Sequence, residues 1–288
     1  MTAGAVVRAA DVPAVPAPGG GRVRTLLDIG PAGQHAQVQQ TAGQQTAGQQ
    51  TAGQQTAGQQ TAGQQTAGQQ TAGQHFVRRL ADVPPRTQFS GTAGAAGELW
   101  FVISGTGELV VEDHAGLPLR QDRGLWIPPG ARYRVDADGP TDLRFDVVSL
   151  PAETGEPGGP ASRTGADSAA PLARDLRDCE VETTGDRRFR VLFGPGRGCS
   201  VATQFAGEIP PGRAPDHSHP YDELVLMLEG EGLLHLDGAD HVLAPGTCAH
   251  LPPGQLHCLE NTGTTTMRVL GVFHPADSPA AKAHVDHP

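Results

Sequence analysis

Basic residues are scarce in this chain of 288 residues, and lysine is almost absent. Lys282 is its sole lysine, and 21 Lys and Arg stand against 31 Asp and Glu, a net charge of −10 at pH 7. A protein that binds nucleic acid needs clustered positive charge against the phosphates. The arginines are scattered along the chain, so the composition excludes a nucleic-acid-binding surface as the basis of function.

Long apolar runs and paired cysteines are missing as well. No segment approaches the roughly 20 consecutive apolar residues of a membrane-spanning helix, and residues 1–21 lack the basic start and apolar block of an export signal. The four cysteines form no CxxC pair, which argues against a zinc ribbon and a disulfide framework. We therefore expect a cytoplasmic protein, without a membrane partner, whose thiols are reduced and mostly buried.

Glycine and proline, in contrast, are abundant, with 39 and 25 residues. Short runs of β-branched and apolar residues between Gly and Pro predict strands joined by tight turns. The length allows two domains, each with its own core. The sequence therefore predicts an all-β protein.

A pentapeptide repeat interrupts this pattern. Residues 41–75 read TAGQQ six times and then TAGQH. Each unit offers only Ala and a Thr methyl group for burial, too little to offset the entropy lost on ordering the chain. We expect residues 36–75 to be a disordered low-complexity insertion in a hairpin loop, which costs little because loop-closure entropy grows slowly with length.

The two halves of the chain resemble each other. ELWFVISGTGELVVED, from residue 98, matches ELVLMLEGEGLLHLDG, from residue 223, and GLWIPPGARY matches AHLPPGQLHC further on. This internal duplication predicts two tandem antiparallel β-barrels or rolls. The predicted organisation is an amino-terminal barrel over 1–150, a flexible linker over 151–175, a carboxy-terminal barrel over 176–277 and a tail over 278–288.

The carboxy-terminal copy of the duplicated unit contains several side chains of the types that bind metals. His217 and His219 share one face of a strand, about 6 to 7 Å apart, and Glu223 has the same parity. His257 follows a Pro-Pro-Gly turn and is a fourth candidate. Imidazole and carboxylate together suit a first-row divalent metal; the alternative is that the paired histidines lie at a surface loop edge. Tyr221 is interpreted as a turn residue.

Both motifs of the cupin superfamily occur here, and the chain resembles that family. The first motif, G-x5-H-x-H-x3-E-x6-G, has Pro211 in place of its leading glycine and is otherwise met by His217, His219, Glu223 and Gly230. The second, G-x5-P-x-G-x2-H-x3-N, is met in full by Gly246, Pro252, Gly254, His257 and Asn261.

The resemblance implies a two-barrel cupin, or bicupin, in which both barrels are double-stranded β-helices (jelly rolls) and only the second has an intact metal motif. It implies one divalent transition metal (Fe, Mn, Ni, Zn, Co or Cu) held by His217, His219, Glu223 and His257. In the first copy the ligand positions are Thr92, Gly94, Glu98 and Tyr133. The degenerate first barrel is therefore expected to be metal-free and to pack against its twin or against a second copy of the chain in a homodimer.

Four protein ligands leave about two positions of an octahedral ion open for a small, oxygen-rich organic substrate. The resemblance favours a dioxygenase, with Glu223 as ligand or as catalytic base; Val225, Met227 and Leu259 form either an apolar pocket wall or plain core. The alternatives are a cupin isomerase or decarboxylase, and a non-catalytic small-molecule-binding or sensor protein.

Overall fold

The computed structural model describes residues 4–30, 75–112, 114–152 and 173–280. Within these ranges the chain is built from strands and has no α-helix. Two 3-10 turns of three residues, Ala9–Asp11 and Leu176–Asp178, are its only helical elements there. The predicted all-β class is confirmed.

A seven-stranded and a four-stranded sheet form the amino-terminal barrel. In spatial order the larger sheet consists of β12 (Ala173–Asp175), β9 (Arg123–Ile127), β6 (Glu98–Ser104), β11 (Leu143–Ser149), β4 (Phe76–Val83), β3 (Arg22–Ile29) and β2 (Val15–Pro16). The smaller sheet consists of β5 (Gln88–Thr92), β10 (Arg132–Ala137), β7 (Gly107–Val111) and β8 (Leu117–Leu119).

The carboxy-terminal barrel is built in the same way. Its larger sheet consists of β1 (Ala5–Arg8), β20 (Thr247–Leu251), β17 (Asp222–Glu229), β22 (Met267–His274), β15 (Thr203–Ile209), β14 (Arg187–Phe193) and β13 (Glu182–Thr184). Its smaller sheet consists of β16 (Gly212–Arg213), β21 (His257–Asn261), β18 (Gly232–Leu236) and β19 (Ala239–Leu243).

The strand orders of the two barrels correspond one to one, as expected for a duplicated unit, and each barrel borrows an edge strand. Strand β1, from the amino terminus, pairs with β20 of the second barrel. Strand β12, formed by the last three residues of the predicted linker, pairs with β9 of the first barrel. The division into domains at residues 150 and 175 stays a prediction, and these two pairings cross it.

Strand β17 is buried on both faces, which explains its unbroken apolar run. Leu224 and Leu226 belong to a core cluster that draws residues from both seven-stranded sheets, so these sheets pack face to face. Val225 and Met227, of opposite parity, lie in the apolar interior of the second barrel. Alternate residues of one strand thus serve the barrel contact and the barrel interior.

A buried ion pair crosses the contact between the barrels. Arg78 on β4 is fully buried, and its Nε donates to Asp146 Oδ1 over 2.8 Å. Its Nη1 donates to the backbone oxygen of Leu224 over 2.9 Å, and its Nη2 to that of Leu270 over 3.3 Å. The first barrel therefore holds two strands of the second through one guanidinium group.

The hairpin predicted to carry the repeat is present. Strands β3 and β4 pair antiparallel, with Ile29 opposite Phe76. The predicted disorder of the repeat and most of the linker and tail lie outside the described residues. No helix in the described part of the chain is long and apolar enough to cross a membrane. All four cysteines are free thiols, and three of them are buried.

Candidate metal centre

The backbone brings the two motif segments together. His217 and His257 form an antiparallel bridge in which each backbone N–H donates to the other residue's carbonyl oxygen, over 3.0 and 2.9 Å. The Gly254 N–H donates to the His219 carbonyl oxygen over 2.7 Å. Gly254 has φ of +76°, a conformation that favours glycine, so the motif glycine allows the turn that precedes His257.

Three imidazoles converge at this point. One ring nitrogen from each of His217, His219 and His257 lies within 4.8 Å of the other two. Glu223, on the neighbouring strand β17, places Oε2 3.5 Å from His219 Nε2 and 3.9 Å from His257 Nε2. His219, Glu223 and His257 are buried, whereas His217 is partly exposed. The four side chains singled out from the sequence therefore face one small volume.

Each imidazole has a partner at Nδ1. His217 Nδ1 lies 3.1 Å from the Pro215 carbonyl oxygen, and His257 Nδ1 lies 2.8 Å from that of Gln255. A carbonyl accepts a proton from Nδ1, so these two rings carry hydrogen at Nδ1 and present Nε2 as the lone-pair atom. Such outer contacts fix the tautomer and orientation of metal-binding histidines.

Tyr221 is the partner of the third imidazole. Its hydroxyl lies 3.0 Å from His219 Nδ1, and its ring stacks on that imidazole at 4.9 Å. Burial, with the charge of Glu223, raises the pKa of Tyr221, so its hydroxyl stays protonated. Tyr221 lies in a bend just before β17, so its interpretation as a turn residue agrees with the structure, but its contact with His219 was not predicted. The spacing of two between His219 and Tyr221 was the available signal.

The second barrel matches a known domain, and the whole chain is similar in structure to known proteins. Residues 206–273 match the family model of the cupin domain. The structure is similar to that of a protein from Pseudomonas aeruginosa named as glyoxylate-induced, with a TM-score of 0.65, 14% identity and coverage of 96% of this chain and 90% of that one. Both barrels are included in that coverage. The chain therefore has the fold of a bicupin, two tandem cupin barrels, and its second barrel matches the cupin domain.

Oxalate decarboxylase of Bacillus subtilis is a second structure similar to this bicupin. The TM-score is 0.65 and the identity 11%, over 98% of this chain and 80% of the decarboxylase; the solved centres of that enzyme are described as Mn(II). At identities this low the likeness establishes the fold alone. No curated protein gives a significant sequence match to the chain.

The donor set of the bicupin fits a divalent transition metal. Burial, together with the nearby His217, lowers the pKa of His257 to about 3 and keeps its imidazole neutral, the form that ligates. Burial raises the pKa of Glu223 to about 8, against the opposing charge of Arg78. A buried carboxyl group with such a pKa lacks a close compensating cation, which a bound metal would supply.

A cavity borders this cluster, with an empty volume of about 630 Å³ including its opening to solvent. Its walls are mainly apolar and comprise Phe189, Phe205, Ile209, Leu251, Leu259, Val269 and Phe273. Of the three residues expected to form the wall or plain core, Leu259 lines the cavity, while Val225 and Met227 lie in the core of the barrel.

The ring of Phe205 packs against Gly271, where the absence of a side chain leaves room for it. A Cβ atom at Gly271 would lie 2.2 Å from the Phe205 ring, so no other residue fits opposite it without a shift. The Phe205 and Phe273 rings lie 4.8 Å apart, and Phe205 and Phe189 6.5 Å apart. These three aromatic walls were missed in the sequence, because strand parity alone does not tell which inward residues border a cavity.

The corresponding volume of the first barrel is filled. Glu98, at the position of Glu223, accepts hydrogen bonds from Trp100 Nε1 over 2.9 Å and from Ser149 Oγ over 2.8 Å. The Trp100 ring packs edge-on against Tyr133 at 4.7 Å and stacks on Phe145 at 4.8 Å. Among the described residues, the histidines of the second barrel form the one group able to hold a metal ion.

Proposed function

We propose that this bicupin is a metal-dependent enzyme whose second barrel holds one divalent transition metal on His217, His219, Glu223 and His257. The observation that carries the proposal is the convergence of three imidazoles and a buried carboxyl group at the edge of an apolar cavity. Structural metal sites are closed by their ligands, whereas a site beside a cavity leaves room for substrate.

A bound metal would polarise substrate oxygens or activate a small molecule as a Lewis acid or redox centre. The residues of the chain supply the rest of the chemistry. His217, His219 and His257 are fixed by their Nδ1 contacts, His257 stays neutral, and Glu223 exchanges a proton with the substrate at its carboxylate. The apolar walls exclude water and hold the carbon skeleton of the substrate.

We infer that the reaction is a dioxygenation of a small organic molecule that carries two neighbouring oxygen atoms on an apolar body. The three phenylalanine walls support this, because they match such a body. The alternative is a decarboxylation, the activity named for oxalate decarboxylase. Oxalate itself has no apolar part to bury against these walls, so a decarboxylase built on this site would take a larger acid.

Elemental analysis and turnover measurements test the proposal. Protein purified without added metal is expected to contain one transition-metal ion per chain, and His217→Ala and His257→Ala to contain none. His241→Ala, on strand β19 away from the cluster, is the matched control and keeps the ion. Two ions per chain, or an ion retained in both variants, would contradict the ligand assignment.

The reaction class is tested separately on a panel of phenols, diketones and hydroxy acids. Substrate-dependent oxygen uptake is expected, and carbon dioxide release without oxygen uptake would favour the decarboxylase. Metal binding without turnover of any compound would favour a binding or sensor protein and would refute the enzymatic part of the proposal.

A further inference from the structure

A hairpin borders the cavity beside the histidine cluster. Strands β13 and β14 pair antiparallel, with Thr184 opposite Arg187. Thr184, Arg187 and Phe189 all border the cavity, so this hairpin supplies both an apolar wall and a cation. No residue of this hairpin belongs to either cupin motif.

Arg187 is held across the cavity by the other sheet of the barrel. Its Nη2 donates to the carbonyl oxygen of Leu259 over 2.8 Å, and Leu259 itself lines the cavity. Burial lowers the pKa of the Arg187 guanidinium, and the nearby charge of Asp186 acts against this shift; an arginine side chain stays protonated in proteins. The group is therefore a permanent, partly desolvated positive charge at the rim of an apolar site.

Arg187 differs from the other arginines of the second barrel in its lack of an ion pair with a described residue. Each other arginine in residues 176–280 lies within 4.0 Å of a carboxylate oxygen, namely Arg177, Arg188, Arg190, Arg197, Arg213 and Arg268. Among the described residues, Arg187 has no such ion pair. A guanidinium group has five N–H donors, and burying it without a carboxylate is costly. Its neighbour Arg188, which also borders the cavity, pairs with Glu208 at 3.6 Å.

The charged groups that line the cavity favour an anionic ligand as the partner of Arg187. Glu223 is the one acidic residue in the lining, among the three histidines proposed to hold the metal. The protein as a whole carries a net charge of −10, so a positive rim is a local exception. A carboxylate matches the planar guanidinium fork with two parallel hydrogen bonds.

We infer that the cavity takes a small organic acid with an aromatic or similarly sized apolar body, whose carboxylate binds Arg187. The body lies against Phe189, Phe205 and Phe273, and the remaining oxygen atoms reach the histidine cluster. The contact between the ligand's other oxygen atoms and the metal rests on the proposed function. The contact between its carboxylate and Arg187 does not depend on a metal. It makes Arg187 a specificity-determining residue.

A pair of isosteric ligands tests the inference. The dissociation constants of benzoate and benzamide are measured by calorimetry for the wild type, Arg187→Met, Arg187→Lys and the matched control Arg188→Met. Each protein is used both metal-loaded and after removal of metal by a chelator, because benzoate can also bind a metal. Melting temperatures show whether each variant is folded.

The wild type should prefer benzoate over benzamide by roughly tenfold or more in both metal states, as expected for a charge-assisted hydrogen bond. Arg187→Met should lose this preference, Arg187→Lys should keep part of it, and Arg188→Met should keep all of it. Equal weakening of both ligands in Arg187→Met would show that Arg187 only clamps the barrel and would overturn the inference.

Failure of the inference is distinguishable from failure of the proposed function. The preference for benzoate could disappear on chelation and be unaffected in Arg187→Met. That result would show that the carboxylate binds the metal, which refutes the role of Arg187 and supports the metal site. Absence of binding of either ligand would refute the inference directly. Absence of metal would refute the proposed function, while the chelated samples still test Arg187.

Discussion

The two barrels share one strand order but differ in what fills them. In the first barrel Glu98 is hydrogen-bonded by Trp100 and Ser149, and Trp100 packs on Tyr133 and Phe145. In the second, Glu223 faces three imidazoles beside a cavity. The backbone therefore provides the location of a site, and the size and donor type of a few inward side chains decide whether one exists.

The contact between the barrels shows a second asymmetry. Aligning the two copies places Gln204 at the position of Arg78 and Leu270 at that of Asp146. Gln204 Nε2 donates to the Trp100 carbonyl oxygen on β6 over 3.4 Å, and Arg78 Nη1 donates to that of Leu224 on β17, the strand that corresponds to β6. Of these two related contacts, the one made by a charged side chain, Arg78, is the one that reaches β17, the strand that carries Glu223.

Breaking that charged contact should have the largest effect. Arg78→Met leaves Asp146 buried without its partner and should lower the free energy of unfolding by about 3–5 kcal/mol. Chemical denaturation measures this. The double variant Arg78→Met/Asp146→Leu, which makes the contact apolar, should recover most of the loss. A single variant as stable as the wild type would show that the ion pair contributes nothing to docking.

The buried carboxyl group of the second barrel should make metal-free protein sensitive to alkaline pH. The folded-state pKa of Glu223, about 8, lies above the ordinary value of 4.5, so folding favours the protonated form. The stabilisation is complete below about pH 4.5 and is lost as pH rises to about 8. Between pH 6 and pH 9 the free energy of unfolding should fall by about 3 kcal/mol.

Glu223→Gln is the control for this pH dependence, because it removes the titrating group. Denaturation at both pH values should give a much smaller difference in this variant and in metal-loaded wild type, where the cation stabilises the carboxylate. The same alkaline loss in Glu223→Gln would assign the effect to other groups.

Removing the hydroxyl group behind His219 should have a smaller effect. Tyr221→Phe should weaken metal binding by about tenfold, as expected for an outer contact to a ligand, with little change in melting temperature. A competition titration with a chromophoric chelator measures the affinity. Tyr133→Phe, which removes a tyrosine hydroxyl from the first barrel at the position of His257, should leave the affinity unchanged, and an equal loss in both variants would remove the special role of Tyr221.

The repeat is the least consequential difference between the barrels. Deleting residues 36–74 shortens the connection between β3 and β4, whose paired ends Ile29 and Phe76 remain adjacent. Loop entropy then predicts a gain in stability of at most about 2 kcal/mol and unchanged metal affinity. A marked fall in melting temperature would show that the repeat contributes to the fold.

The internal duplication and the two cupin motifs were enough to predict the barrels and the convergence of His217, His219, Glu223 and His257. These features depend on local backbone geometry, which short stretches of sequence encode. The exchange of β1 and β12 was not predictable, since such short edge strands depend on a distant partner. Nor was the role of Arg78, because its contact joins residues 146 positions apart.

A crystal structure of the metal-loaded protein with anomalous diffraction tests the central claim most directly. We expect one anomalous peak per chain, at about 2.0–2.2 Å from the Nε2 atoms of His217, His219 and His257 and from a Glu223 carboxylate oxygen. The volume beside Glu98 and Trp100 should contain no peak. A peak in the first barrel, or none among the three histidines, would contradict the account.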